Sequence, residues 1–226
     1  MAGFTAQADL KTPLPDAPEA ASSTTLLLFG AGGHARVVAD AALLSAGWRR
    51  LLACDRDEAR CKGELLPGVA LCLPAIAERE TTAGVHVSIG NNAAREREAR
   101  AWGLERLVSV LHPAASVSSM AQIAAGCFVA AQAVLAPGAR LGMAVIVNHG
   151  AVVDHDVTVG AFSHIAPGAV LGGAVTIGEQ VLVGAGAVVL PGIRVCSGAV
   201  LGAGAVVASD IGQAGTYVGV PARKVK

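Results

Sequence analysis

Residues 147–177 read V-N-H-G-A-V-V-D-H-D-V-T-V-G-A-F-S-H-I-A-P-G-A-V-L-G-G-A-V-T-I, and an aliphatic side chain returns at every sixth position. The same step continues in both directions without an insertion. It passes through sixteen positions, all of them Val, Leu or Ile: Val117, Ile123, Val129, Leu135, Leu141, Val147, Val153, Val159, Ile165, Leu171, Ile177, Val183, Val189, Val195, Leu201 and Val207. Neither the helix period of about 3.6 residues nor the strand period of about two produces a strict step of six.

A fixed six-residue repeat is typical of a parallel β-helix, in which each hexapeptide supplies one short strand and one corner. Three such units make a triangular coil of about 18 residues, so the repeat predicts roughly five coils. The known hexapeptide solenoids wind left-handed, and we therefore predict an all-β left-handed parallel β-helix. Because a fold alone does not define a function, an ice-binding surface, a metal enzyme, an acyltransferase and an assembly module all remain open.

The composition narrows these classes. The chain has 226 residues, and 17 basic side chains balance 17 acidic ones, which argues against a general electrostatic hold on nucleic acid or anionic lipid. Mean hydropathy is high at +0.56, but the most apolar stretch, 184–208, contains Pro191 and Arg194 and keeps the six-residue step, so we predict no membrane span. The five cysteines form no C-x-x-C pair, as expected of free thiols in a reducing compartment.

Three segments follow from these patterns. Residues 1–24 are rich in Ala, Pro, Ser and Thr, and acidic and basic residues interrupt any apolar core of a signal peptide, so we predict a flexible tail and a cytoplasmic protein. Residues 25–110 are predicted to form a Rossmann-like nucleotide-sugar-binding domain. Residues 111–226 are predicted to form the β-helix and a C-terminal cap.

A glycine-rich loop is the main functional signal in the first domain. The apolar stretch 25–29 is a predicted strand, Gly30, Gly32 and Ala35 match G-x-G-x-x-G/A, a helix is predicted from Arg36 to Leu44, and Asp55 follows a second strand. Such glycines let the backbone approach a phosphate at the start of a helix. A third strand at 85–89 and a helix through Arg100 complete a small parallel sheet of three or four strands.

Three interpretations of that loop stay open. A nicotinamide-dependent oxidoreductase requires a fuller sheet than about 85 residues allow, whereas a nucleotide sugar fits, and a purely structural glycine turn is the third possibility. His34, within the loop, is either a substrate contact or simply a first-turn helix residue.

Three of the six histidines lie within 16 residues of one another on the predicted solenoid: His149, His155 and His164. His155 falls near a corner between Asp154 and Asp156, and a carboxylate beside an imidazole stabilises the imidazolium that a general base forms. His164 precedes an inward residue and is predicted to point outward. A surface histidine without a role and a zinc site formed by the three histidines are the alternatives.

Four motifs occur in one order: G-A-G-G-H-A after the first strand, S-I-G-N-N after the third, V-V-D-H-D in the solenoid and V-G-V-P-A-R near the end. In these motifs the chain resembles the bacterial sugar O- and N-acetyltransferases. The resemblance extends from Thr25 to Val225. That family includes sialic acid O-acetyltransferases and the UDP-amino-sugar N-acetyltransferases of bacillosamine synthesis.

The resemblance implies roles for particular residues. His155 is the proton acceptor, Asp156 the carboxylate that raises its basicity, and Asn148 an amide near the reacting amine. Acetyl-CoA is expected to contact His164, Gly173, Ala185 and Ala203. The nucleotide sugar is expected to contact Gly32, Gly33, His34, Asp55 and Gly90, with Arg56 standing where some relatives have a second acid.

The function implied is acetyl-CoA-dependent N-acetylation of an amino group on a nucleotide-linked sugar, by a homotrimer that needs no metal. The amine attacks the thioester carbonyl, His155 accepts its proton, and a backbone N–H of a solenoid turn holds the oxyanion. The alternatives are O-acetylation of a sugar hydroxyl and a catalytically silent nucleotide-sugar-binding module.

Overall fold

The structure is a computed structural model, and it describes residues 25–45 and 47–225. The predicted tail, 1–24, lies outside these residues. An α/β domain comes first in the chain and a three-sided β-helix follows it. No described helix is both long enough and apolar enough to cross a membrane.

The first domain is a five-stranded sheet with helices on both faces. Its elements are β1 (Thr25–Phe29), α1 (Gly33–Leu44), β2 (Arg50–Cys54), β3 (Glu64–Leu66), β4 (Val69–Leu71), α2 (Pro74–Ala77), β5 (Gly84–Val87) and α3 (Asn92–Trp102), with 3-10 turns at Glu58–Arg60 and Leu104–Arg106. The strand order is β3-β4-β2-β1-β5. Four strands are parallel, within the predicted three or four, but the sequence analysis located only β1, β2 and β5. It missed β4 and also β3, which pairs antiparallel with β4 at the edge.

The central strand is apolar on both faces because both are covered. Leu26 and Leu28 pack with α1 and with the β-helix, whereas Leu27 and Phe29 pack with the residues around α2 and α3. The domain is therefore joined to the β-helix through its own core rather than by a free linker.

The β-helix begins one hexapeptide earlier than the sixteen positions indicate. Its strands are β6 (Val110–Leu111), β7 (Ser116–Val117), β8 (Gln122–Ile123), β9 (Phe128–Val129), β10 (Val134–Leu135), β11 (Arg140–Leu141), β12 (Ile146–Val147), β13 (Val152–Val153), β14 (Thr158–Val159), β15 (His164–Ile165), β16 (Val170–Leu171), β17 (Thr176–Ile177), β18 (Leu182–Val183), β19 (Val188–Val189), β20 (Arg194–Val195), β21 (Val200–Leu201), β22 (Val206–Val207), β23 (Thr216–Val218) and β24 (Arg223–Lys224).

Each strand from β6 to β19 pairs in parallel with the strand one coil further along. Leu135 pairs with Val153, Val153 with Leu171, and Leu171 with Val189, which confirms the 18-residue coil. The pairs form three sheets, and β6 to β20 complete five coils before β21 and β22 begin a sixth. The left-handed β-helix is confirmed.

The core of the β-helix contains two rows of inward side chains. Fourteen of the sixteen predicted positions are buried, and only Val117 and Ile123, in the first coil, are not. The second row lies two residues earlier in each hexapeptide and includes Val145, Val157 and Val175. The sequence analysis missed this row. A fully buried Val or Leu contributes about 1.5–3 kcal/mol, so stacking both rows stabilises the coil without any large aromatic core.

The three outer faces differ in chemistry. On the domain face, Phe128 and Ile146 are buried against the first domain, and His164 also points there. The valine face presents one outward valine per coil: Val134, Val152, Val170, Val188 and Val206. The polar face presents Gln122, Arg140, Thr158, Thr176 and Arg194. The valine face is thus an apolar strip that nothing within the described part of the chain covers.

Candidate functional site

A cluster of imidazoles lies between the first domain and the domain face. His34, in the first turn of α1, has its ring centroid 5.4 Å from that of Phe128 and 6.3 Å from that of His164. His86, on β5, has its ring centroid 6.2 Å from that of Phe128. His164 does point out of the coil as predicted, but into this interface rather than into solvent.

The hydrogen bonds of His164 define its tautomer. Its Nδ1 lies 3.3 Å from the Gly90 carbonyl oxygen, which only accepts, so Nδ1 carries the proton. Its Nε2 lies 3.2 Å from Asn148 Nδ2 and accepts from that amide. The other end of the amide is held as well, because Asn148 Oδ1 accepts the His149 backbone N–H at 2.9 Å. The structure therefore brings together three predicted residues, Asn148, His164 and Gly90.

Burial keeps these imidazoles neutral. Desolvation, with smaller contributions from neighbouring imidazoles and Arg95, lowers the pKa of His34 to about 3. The pKa values of His86 and His164 fall to about 4, chiefly through desolvation and also through the charge of Arg95. In the described part of the chain, His34 Nε2 is buried and has no hydrogen-bond partner. An orphaned buried nitrogen costs about 1–3 kcal/mol, which suits an atom reserved for a ligand.

The glycine loop adjoins this cluster. Gly32 is the N-cap of α1 and Gly33 is its first residue. Gly30 has φ +117°, and a Cβ there would meet the Ser88 carbonyl oxygen at 2.9 Å, so no larger residue fits. Asp55 helps to fix the conformation of the loop, because its Oδ2 accepts the Ala31 backbone N–H at 2.9 Å.

Arg56 joins the segment after β2 to helix α3. It follows β2 and donates from Nε and Nη2 to Glu98 of α3, with both Oε atoms within 3.0 Å. The Glu98 side chain is only 1% exposed and also pairs with Arg97. The predicted substrate residue Arg56 is therefore held by a buried carboxylate of α3.

His155 and Asp156 form a pair on the corner between the valine face and the polar face. His155 Nδ1 lies 3.0 Å from Asp156 Oδ2. That hydrogen bond, helped by the charge of Asp154, raises the pKa of His155. Because the carboxylate accepts, Nδ1 carries the proton and Nε2 is free to take another.

Two glycines make room for this pair. Gly173 lies one coil above His155, and a Cβ there would fall on the imidazole ring. Gly138 lies one coil below Asp156, and a Cβ there would clash with its carboxylate. We call this edge of the coil the base corner. The sequence analysis predicted contact of Gly173 with acetyl-CoA, but in the described chain its neighbour is the candidate base.

The other two predicted acetyl-CoA residues lie on a different corner. Ala185 and Ala203 stack one coil apart at the corner between the domain face and the valine face, and both are exposed. Each is followed by a glycine, Gly186 and Gly204, where a Cβ would meet no atom within 4 Å. This small-residue corner stands on the same edge as Asn148, two coils lower, and it is open enough for a linear ligand to lie against the backbone.

Within one chain the predicted site is split in two. The base corner is the edge of the triangular coil opposite the domain face, so His155 and Asp156 lie away from His34 and His164. Both the base corner and the small-residue corner border the valine face.

Two important residues escaped prediction. Arg95 and Glu98 are each 1% exposed and lie on the buried side of α3 together with Ala99. Charged residues at helix positions that face a core were the available signal. As for the zinc alternative, no group of three or more His, Cys, Asp or Glu within 25–45 and 47–225 is arranged to hold a metal ion.

Comparison with known proteins agrees with this geometry. Residues 25–101 match the family model described as PglD N-terminal domain, and residues 174–209 match bacterial transferase hexapeptide repeats. No curated protein matches the chain.

Solved structures of two relatives are among those that match over most of the chain. The acetyltransferase domain of PglB from Neisseria gonorrhoeae FA1090 is 34% identical, with a TM-score of 0.84, covering 90% of this chain and 100% of that one. A second structure of that domain contains acetyl coenzyme A. PerB from Caulobacter crescentus, solved with CoA and GDP-perosamine, is 32% identical, with a TM-score of 0.81, covering 89% of this chain and 97% of that one.

A left-handed β-helix that carries a His–Asp pair and is fused to a glycine-loop α/β domain defines a hexapeptide-repeat acyltransferase. The chain belongs to the bacterial sugar acetyltransferase family, as its motifs predicted.

Proposed function

We propose that this protein transfers the acetyl group of acetyl-CoA to an amino group on a nucleotide-linked sugar. The observation that carries the proposal is the pairing of a His–Asp base with an open small-residue corner, on a chain 32–34% identical to acetyltransferases solved with acetyl-CoA or with CoA and GDP-perosamine. The intact pair argues against a silent binding module.

The enzyme is a homotrimer in this proposal. The uncovered valine face supports it, because an apolar strip of this kind marks an interface. If the valine faces of three copies meet around a threefold axis, the base corner of one copy adjoins the small-residue corner of the next. That arrangement brings Gly173 and His155 of one copy near Ala185, Ala203 and Asn148 of its neighbour, which one chain alone does not do.

Each group then has one task. Acetyl-CoA, lying along the small-residue corner, supplies an acyl group already activated as a thioester. The sugar amine attacks its carbonyl carbon, and the C–S bond then breaks to release CoA as the thiolate. The glycine loop, with Gly32, Gly33 and His34, holds the nucleotide sugar. His155 takes up at Nε2 the proton that the sugar amine loses on acylation, and Asp156 stabilises the resulting imidazolium. Holding both substrates in line provides much of the rate.

The direct test is a panel assay. The protein is incubated with acetyl-CoA and UDP-, GDP- or dTDP-linked amino sugars, and release of the CoA thiol is measured together with the mass of the sugar product. We expect an acetamido product with at least one amino sugar and none with its hydroxyl counterpart. Release only with hydroxyl acceptors would make the protein an O-acetyltransferase, and no release with any acceptor would contradict transferase activity.

A further inference from the structure

A guanidinium is buried where the first domain meets the β-helix. Arg95 donates to six oxygens: Ala144 O at 2.8 Å from Nε, Ile89 O at 3.0 Å and Gly90 O at 3.2 Å from Nη1, and Asn92 Oδ1 at 2.9 Å, Phe162 O at 2.7 Å and Ser163 O at 3.2 Å from Nη2. All six are neutral carbonyl or amide oxygens, and none is a carboxylate.

A buried guanidinium without a counter-ion is an energetically unfavourable way to join two domains. Burying a charge without a counter-ion costs several kcal/mol, and apolar residues of similar volume pack interfaces without that penalty. Burial lowers the pKa of Arg95 to about 10, so the charge persists at neutral pH. If Arg95 has a role beyond packing, the groups that accept its hydrogen bonds should indicate that role.

The oxygens belong to two segments that also carry the predicted site. One segment is the loop 89–92 of the first domain. The other comprises two stacked corners of the β-helix, at Ala144 and at Phe162–Ser163, the second of which leads directly into His164. The Gly90 carbonyl oxygen is shared, since it accepts from Arg95 Nη1 and from His164 Nδ1.

A hydrogen-bond relay runs from this shared oxygen to Asn148, on the same edge of the coil as the small-residue corner. The Gly90 oxygen selects the Nδ1–H tautomer of His164, which leaves Nε2 to accept from Asn148 Nδ2. Asn148 Oδ1 is already held by the His149 N–H. The orientation of the Asn148 amide, and the direction of its second N–H, therefore depend on where Gly90 is held.

We infer that Arg95 is a positioning residue for acetyl transfer: by fixing the Gly90 carbonyl it sets the tautomer of His164 and the orientation of the Asn148 amide. The catalytic part of this inference rests on the proposed function, whereas the relay itself does not. Lysine cannot replace the arginine, because one ammonium group with three donors cannot reach six oxygens in two domains.

The test compares Arg95→Lys and Arg95→Met with Arg100→Met, an exposed position on the same helix. Long-range ¹H–¹⁵N NMR of the imidazoles, with His164 assigned by its loss in His164→Asn, reports the tautomer. We expect the Nδ1–H form in the wild type and in Arg100→Met, and a mixture of tautomers in the Arg95 variants. We also expect kcat to fall at least ~10-fold in those variants, as mispositioning does, with KM for acetyl-CoA nearly unchanged.

The melting temperature shows which variants fold. If Arg95→Met does not fold, Arg95→Lys provides the test. A folded Arg95 variant that keeps the Nδ1–H form of His164 and wild-type kcat would overturn the inference. If the wild type acetylates no acceptor, the proposed function fails, but the tautomer comparison still decides whether Arg95 controls the relay.

Discussion

His155 holds its Nδ1 proton against Asp156 and presents Nε2 beside Gly173, a glycine that leaves space for the ring. The imidazole of His164, by contrast, is buried, uncharged and hydrogen-bonded at both nitrogens. The surroundings of the two residues therefore separate their roles. One imidazole is free to accept a proton, and the other is suited to hold a neighbouring group in place.

At the residue scale we predict that His155→Ala lowers kcat by at least ~100-fold, the usual effect of losing a general base. An amino-sugar amine loses its proton not far above neutral pH, so raising the pH toward 9 should restore part of the activity of the variant. A hydroxyl acceptor needs the base at every accessible pH. Steady-state rates from pH 6 to 9 on an accepted amino sugar measure this, and a uniformly low profile would count against amine acetylation.

The element scale concerns how the first domain and the β-helix meet. Their interface contains His34, His86 and His164, all with pKa values lowered from 6.5 to about 3 or 4. An imidazole that stays neutral in the fold takes up a proton near pH 6.5 once the chain unfolds. The unfolded state therefore binds more protons between pH 6.5 and 4, and stability is lost as the pH falls.

We predict that the free energy of unfolding falls from pH 7 to pH 5, by about 1.4 kcal/mol per pH unit below 6.5 for each of these imidazoles. Urea denaturation at pH 7, 6 and 5 measures it. His164→Asn removes one titrating group and should make the dependence shallower. Equal or greater stability at pH 5 would show that these imidazoles are not buried in neutral form.

The valine face gives a second prediction at this scale. Val170 and Thr176 occupy outward positions of the same coil, one on the valine face and the other on the polar face. Val170→Lys should convert the proposed trimer to monomers, because a buried unpaired ammonium is strongly unfavourable, while Thr176→Lys should leave the proposed trimer intact. Light scattering after size exclusion distinguishes them. A trimeric Val170→Lys variant would place the interface elsewhere.

The repeat made the β-helix predictable because every sixth side chain is aliphatic and no insertion disturbs the count. The second inward row was missed, since it mixes valine with small alanines that carry no periodic signal of their own. The strand β3 was missed because three residues are too few for a pattern. Arg95 and Glu98 escaped because charged helix residues are ordinarily solvated. Their spacing along the core side of α3 was a signal, but only the fold shows that Arg95 is buried against the β-helix and that Glu98 pairs with Arg56.

At the scale of the whole molecule, the candidate site is incomplete in a single chain. The base corner lies across the coil from the glycine loop and from His164, and both site-bearing corners border the valine face. The proposed function therefore requires that His155 of one copy act on a sugar held by the glycine loop of another copy. This division is the central claim, and subunit mixing tests it most directly.

Two variants are prepared, His155→Ala, which lacks the base, and His34→Ala, which lacks the substrate contact; each should be nearly inactive alone. After unfolding and refolding together in equal amounts, random trimers should regain about a quarter of wild-type activity, because one site in four then draws both intact residues from adjacent copies. Each variant refolded alone is the control. If the mixture stays as inactive as its components, each site lies within one chain, and the shared-site account is contradicted.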